Sequence, residues 1–233
     1  RAHKGGGMLT VSAAPSFAAR WLMPRLHRFL ESHPEIDARV SARLRQTSEG
    51  SKRGAAAERA TVEAWLSDSD VAILYGLGDY PGYQVHKLFT LTITPICSPR
   101  LLTDSEYPLL RPADLRHQSL LHDDTGELYD GVSFWEVWLK AAGVQGVDVS
   151  RGPHFSHAVL AFETAAEGRG VVATMPVLAE ADLHAARLVT PFALRVPLRS
   201  AYYLVCAESA AGRPAVAAFR DWLVGEAARE TGA

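Results

Sequence analysis

The sequence predicts an α/β fold with a largely parallel sheet, divided into two similar lobes. Strand-like and helix-like runs alternate along nearly the whole chain, the pattern of successive βαβ units. The βα pattern occurs twice, once before Leu91 and once after it. In each half a serine, Ser16 or Ser156, stands where a strand hands over to a helix.

The first strand is the alternating run Leu9-Thr10-Val11-Ser12-Ala13. Phe17, Trp21, Leu22, Leu26, Phe29 and Leu30 then fall on one helical face. Ser16 is placed to cap that helix, Pro24 to kink or restart it, and His33-Pro34 to end it. Ile36, Ala38 and Val40 give the next strand, and Gln46–Arg59 a polar loop, with or without a loose helix. A short helix is expected over Thr61–Leu66 and a buried strand over Val71–Tyr75, closed by Gly76 and Gly78.

In the second half, Leu91–Cys97 reads as a strand whose Pro95 implies an edge or a bulge. One helical turn is expected at Pro112–Leu115, then a short strand, Ser119–Leu121, running into His122-Asp123-Asp124. Phe134, Val137, Trp138 and Ala141 mark a helix closed by Gly143. Trp135 lies off that face, at the surface or lining a cleft. His154-Phe155 leads to Ser156 and a helix carrying Val159, Leu160, Phe162 and Ala166. Strands at Val171–Met175, Leu188–Phe192 and Tyr202–Cys206 follow, with a helix over Val177–Ala186. The last helix, from Pro214 to about Ala228, turns Val216, Phe219, Leu223 and Ala227 inward.

The 233 residues suffice for a sizeable core, and 48% hydrophobic with 21% charged residues is the balance of a folded chain. With 24 Lys and Arg against 26 Asp and Glu, the net charge is −2, without the basic excess of a domain that grips phosphate backbones. No apolar run reaches membrane-spanning length, so no membrane partner is expected. Residues 1–7 read as a glycine-rich connector or tag remnant. Cys97 and Cys206 form no disulfide framework and suit a reducing, cytoplasmic setting. They fall on strands expected to be neighbours, which leaves a redox-sensing pair open.

In open α/β sheets, ligands bind beyond the carboxyl ends of the strands. Ser16 and Ser156 occupy that position, each beside the backbone N–H groups of a helix start, which favour a carboxylate or other anion. Capping is the other job either serine can have there. His122, Asp123, Asp124, His154 and His157 offer imidazole and carboxylate, but H-x-x-H does not bring two rings to one helix face and no cysteine assists; no metal is assigned, and these groups read as loop polar residues or ligand partners. No G-x-S-x-G surrounds a serine. Gly168-Arg169-Gly170 follows a helix and precedes a strand, the wrong order for a dinucleotide fingerprint. No catalytic residue and no cofactor are therefore expected.

The stretch Leu9–Ala18, with Trp21-Leu22-Met23-Pro24-Arg25-Leu26 and His33-Pro34-Glu35-Ile36-Asp37, resembles the effector-binding domain of LysR-type transcriptional regulators. Asp70-Val71-Ala72-Ile73, Tyr75-Gly76, Pro95–Pro99, Ala141-Ala142-Gly143, Ala165–Val171 and Ala201–Val205 extend the resemblance over most of the chain, within the branch of the glycine-cleavage activator and the β-lactamase regulators. It implies a type 2 periplasmic-binding-protein-like fold: two Rossmann-like lobes joined by hinge strands near Leu91–Cys97 and Tyr202–Cys206. Lobe I would comprise 8–91 and 207–233, lobe II 92–206.

The same resemblance implies effector contacts at Ser16 with its neighbours Ser12 and Phe17, at Phe155, Ser156, His157 and Ala158, and at Tyr202; His122 and Asp123 complete the candidate set. Ala158 stands where the β-lactamase regulators carry a hydroxyl, and Gln46–Arg59 is longer than the branch norm. The implied function is the ligand-sensing half of a regulator, forming a homodimer or higher homo-oligomer. DNA would be bound only through a helix-turn-helix domain outside this sequence. A solute-binding protein for a small carboxylate or amino acid is the second reading. An enzyme on this fold, with Asp123, Asp124 and His157 as its only acid–base candidates, is the third.

Overall fold

The computed structural model describes residues 7–44, 55–129 and 131–231. In chain order, β1 is Met8–Ala13, followed by α1 (Pro15–Phe17), a π-helical turn (Ala18–Leu22) and α2 (Met23–Ser32), which form one continuous helical run. The π turn has a local cause. Pro24 has no N–H to return to the carbonyl four residues back, so the helix restarts there, with Met23 N–H reaching Ala18 O five residues back. β2 (Asp37–Ala42), α3 (Ala55–Leu66) and β3 (Val71–Gly76) complete the first β-α-β-α-β series, and β4 spans Tyr83–Cys97.

The second series is β5 (Leu120–Asp123), α4 (Thr125–Tyr129), α5 (Phe134–Ala142), β6 (His154–Phe155), α6 (Ala158–Ala166) and β7 (Val171–Thr174). A 3-10 turn at Pro176–Ala179 runs into α7 (Glu180–His184); then come β8 (Val196–Ala207), α8 (Glu208–Ala211) and α9 (Pro214–Thr231). Ser133 caps α5 by accepting Glu136 N–H at 3.4 Å, and Gly143 closes it at φ 65°, a left-handed turn only glycine adopts without strain.

The chain divides into two compact units, Arg1–Thr90 with Arg199–Ala233 and Leu91–Leu198. In the first, the strand order is β2-β1-β3-β8: β1 lies parallel to β2 and β3, and β3 antiparallel to β8. Its core is aromatic, with Phe17, Trp21, Phe29, Tyr75, Phe89, Tyr202 and Phe219 all buried. From α9, Val216, Phe219, Leu223 and Ala227 face inward with no exposure, as their spacing predicts. Asp70 ties β1 to β3, accepting Thr10 N–H and Oγ1–H at 2.9 Å each.

In the second unit the order is β4-β7-β5-β6, with β5 parallel to β6 and β7, and β7 antiparallel to β4. Phe134, Trp135, Trp138 and Phe162 fill its core. Pro95 pairs with Ala173 inside the β4–β7 ladder. Cys97 N–H donates to Val189 O, away from β7, and by strand alternation the Pro95 nitrogen faces that same side, so the ladder to β7 loses no donor.

Several elements depart from the sequence expectation. Leu188–Phe192 is not a strand. Only Val189 bridges to Cys97, because Pro191 has no N–H to continue the ladder. The helix expected at Thr61 begins at Ala55, so the last residues of the supposed loop Gln46–Arg59 are helical; 46–54 lie outside the described residues. β4 and β8 begin at Tyr83 and Val196, well before Leu91 and Tyr202. Their first halves are half-exposed and carry Gln84, His86, Lys87 and Arg199, which dilute the apolar strand signal. Trp135 is not at the surface: it is 1% exposed and its Nε1–H donates to Leu121 O at 2.9 Å.

Candidate functional site

In each unit one strand lies between two parallel neighbours and its crossovers leave to opposite sides. β1 connects onward to β2 and β3 flanks it on the other side; β5 relates in the same way to β6 and β7. Such topological switch points open a crevice at the carboxyl ends of the strands, where ligands of open α/β sheets bind. β1 ends at Ala13 and the helix starts two residues later at Pro15; β5 ends at Asp123 and the helix starts two residues later at Thr125.

This correspondence corrects the pairing of Ser16 with Ser156. Ser16 is the second residue of α1, whose topological counterpart is Gly126. Ser156 follows β6, the counterpart of β2. Neither serine is a cap. Pro15, with φ already set for a helix, takes the first helical position, which moves the cap to Ala14 and puts Ser16 inside the first turn. At α6 the cap position is His157, with no side-chain cap bond.

In the first unit Ser12 is fully buried and its Oγ accepts from Ser69 Oγ at 2.9 Å, within the unit's own packing. Ser16 is 4% exposed. Phe17 stacks on Trp21 at 5.0 Å and meets Tyr202 at 4.8 Å; Tyr202 also meets Tyr75 at 5.6 Å and Phe89 at 6.1 Å. Ser16 thus immediately precedes an aromatic wall of which Phe17 and Tyr202 are members.

In the second unit β5 and β6 run in register, His122 opposite His154 and Asp123 opposite Phe155. The two imidazoles stack at 4.2 Å; His122 Nε2 lies 3.0 Å from Arg151 O, and His154 Nδ1 lies 2.7 Å from Asp124 Oδ1. Ser156 is exposed, with Oγ 3.4 Å from His157 Nε2, while His157 Nδ1 is buried and has no hydrogen-bond partner; Ala158 is buried behind it.

Asp123 is buried. Its Oδ1 accepts Thr125 N–H at 3.1 Å and Thr125 Oγ1–H at 2.6 Å, and its Oδ2 accepts Thr174 Oγ1–H at 2.5 Å. Burial pushes its carboxyl above the usual carboxylate range, against the three hydrogen bonds that favour the ionised form. Thr125 and Thr174 were not singled out from the sequence. The signal available was their position, just after β5 and at the end of β7. Beside Asp123 a shallow depression, with room for about one water molecule, is lined by His122, Asp123, Asp124 and Glu127 and by Ser133, Phe134 and Trp135.

No group of three or more His, Cys, Asp or Glu among the described residues is arranged to hold a metal ion. Both thiols are buried. Burial pushes Cys97 up to about 12 and Cys206 also upward, so neither has the thiolate character of a redox sensor.

Residues 55–228 match the LysR substrate binding domain family. The chain belongs to that family. It is 38% identical over 230 residues to the glycine cleavage system transcriptional activator of Escherichia coli K12, covering 99% of this chain and 68% of the activator. It is 32% identical over 222 residues to the HTH-type transcriptional activator AmpR of Rhodobacter capsulatus, 95% of this chain and 67% of that protein. Among solved structures, the effector domain of AmpR from Pseudomonas aeruginosa superposes with a TM-score of 0.75 at 29% identity, covering 96% of each chain. The fold is therefore the type 2 periplasmic-binding-protein-like arrangement of LysR effector domains, and the chain is the effector-binding domain of a LysR-type transcriptional regulator. Regulators of this type bind small-molecule effectors and DNA. No helix among the described residues is long and apolar enough to cross a membrane.

Proposed function

We propose that this domain senses a small effector at a strand-end crevice and catalyses no reaction on it. The observation that carries the reading is the repeated switch point: β1 leads to Ser16 and β5 leads to Asp123 and Thr125, each where the topology opens a crevice. Within the first unit the candidate contacts are Ser16, Phe17 and Tyr202; within the second they are Asp123, His157 and the start of α6. An anionic group on the effector suits the start of the α1–α2 run, where Ala14 supplies no side-chain cap to the first-turn N–H groups. Effector binding then changes regulation only in so far as it favours one of two conformations. We place the protein in the cytoplasm as a homodimer, the setting and assembly the family resemblance implies; sedimentation velocity at micromolar concentration checks the assembly.

The reading is tested by thermal-shift screening of amino acids, small carboxylates and peptidoglycan fragments against the chain and its Ser16→Leu variant. A ligand that raises the melting temperature of the parent should fail to do so in the variant. An equal rise in both removes Ser16 from the site.

A further inference from the structure

The two switch points differ in electrostatic character. In the first unit the strand-to-helix junction is Ala13-Ala14-Pro15-Ser16, with no ionisable group; in the second it is Asp123-Asp124-Thr125. Both oxygens of Asp123 are engaged, but not equally. A carboxylate has about four lone-pair positions, and the structure fills three: two on Oδ1 from Thr125, one on Oδ2 from Thr174. Both threonine hydroxyls donate to Asp123 closely, at 2.6 and 2.5 Å. Among the described residues no Lys, Arg or His side chain forms an ion pair with Asp123, and the nearest charged influence is the like charge of Asp124. A buried carboxylate in that state is costly unless a positive group neutralises it. Asp123 lines the depression together with Phe134 and Trp135.

We propose that Asp123 is the specificity-determining residue of the second unit, with Oδ2 accepting an N–H from a positively charged nitrogen, a primary ammonium, on the effector. Thr125 and Thr174 are positioning residues: by donating to Asp123 they fix its plane and leave the remaining Oδ2 position as the acceptor. Resting on the effector-site reading above, this makes the effector amino-bearing. An ammonium that binds the ionised carboxylate displaces its proton, so binding tightens as pH rises through the elevated Asp123 titration.

The test is isothermal titration of the chain with ethylammonium chloride, L-alanine and sodium propionate as separate probes. The amine and the amino acid should bind, more tightly at pH 8 than at pH 5. Asp123→Asn, which keeps the shape and the acceptor towards Thr125, should weaken both at least about 30-fold, the loss typical when one partner of a buried charge pair is removed. It should also reduce the pH dependence, although His122, Asp124 and Glu127 line the same depression and His154 pairs with Asp124. Thr174→Val, which removes one donor from Asp123, should shift the pH midpoint of amine binding upward. No amine binding by the parent chain, or equal amine binding in Asp123→Asn, overturns the proposal. Propionate binding that Ser16→Leu abolishes, alongside failure of the amine, would overturn this inference alone and leave the effector-site reading standing. Absence of binding by all three probes overturns the inference, and the effector-site reading then stands or falls on the wider screen.

Discussion

The two units share one strand scheme and fill its working end with different chemistry. In both, a central strand flanked by parallel partners hands over to a helix after a single intervening residue. The first unit backs that junction with stacked rings, Phe17 on Trp21 and Tyr202 on Phe17. The second backs it with a carboxylate held by two threonines. On the effector-site reading proposed above, topology determines where a ligand meets the sheet, and the residues at the strand ends determine what kind of group is met there.

The sharpest way to break this comparison is to remove the aromatic wall. Phe17 is fully buried against three other rings, and truncating a buried aromatic leaves a cavity as well as losing burial. Phe17→Ala should destabilise the first unit by about 3–5 kcal/mol. Denaturant titration followed by tryptophan fluorescence reads the loss; a change under about 1 kcal/mol would show that the wall is not structural. In the second unit Trp135→Phe removes a buried N–H donor to Leu121 O and part of a buried ring, and should cost about 1–3 kcal/mol by the same measurement.

Much of this was legible in the sequence, and the failures have physical causes. The alternation of elements, the helix closed by Gly143 and the inward face of α9 follow from periodicity and cap chemistry, which are local. Asp70, part of a recognisable sequence block, proves to be a tie between β1 and β3 rather than a site residue. What local reading missed was non-local. Ser156 was matched to Ser16 because both follow a strand, but strand order, not strand count, decides which junctions correspond. Thr174 meets Asp123 across 51 positions of sequence, and no spacing rule announces that contact. Trp135 left the helix's apparent apolar face, yet a carbonyl on β5 receives its N–H, so it buries.

A second way to sharpen the contrast uses pH, because the junction at Asp123 titrates and the one at Ser16 does not. The folded chain holds the Asp123 proton more tightly than the unfolded chain, since burial raises its carboxyl. Its contribution to stability is therefore fully present below the ordinary aspartate value, and it is lost as pH rises through the elevated folded value. Relative to Asp123→Asn, the parent chain should gain stability on the acid side and lose it towards neutrality. Parallel denaturant titrations between pH 3.5 and 7 check the sign; a difference that grows with rising pH would contradict the burial argument.

The smallest expected effect distinguishes the two serines themselves. A capping serine costs about 1 kcal/mol when replaced by alanine, and neither Ser16 nor Ser156 caps its helix. Ser156 is exposed, and among the described residues its hydrogen-bond neighbour is the adjacent His157 ring at 3.4 Å. Ser156→Ala should therefore change stability by less than about 0.5 kcal/mol, as exposed substitutions without a cap or buried partner do. Ser16 is buried at the end of the switch strand, and Ser16→Ala empties a polar position without touching a cap. If Ser156→Ala proved the more costly of the two by thermal denaturation, the start of α6 would carry a structural load that its geometry does not show, and the assignment of corresponding junctions from strand order would fail at that helix.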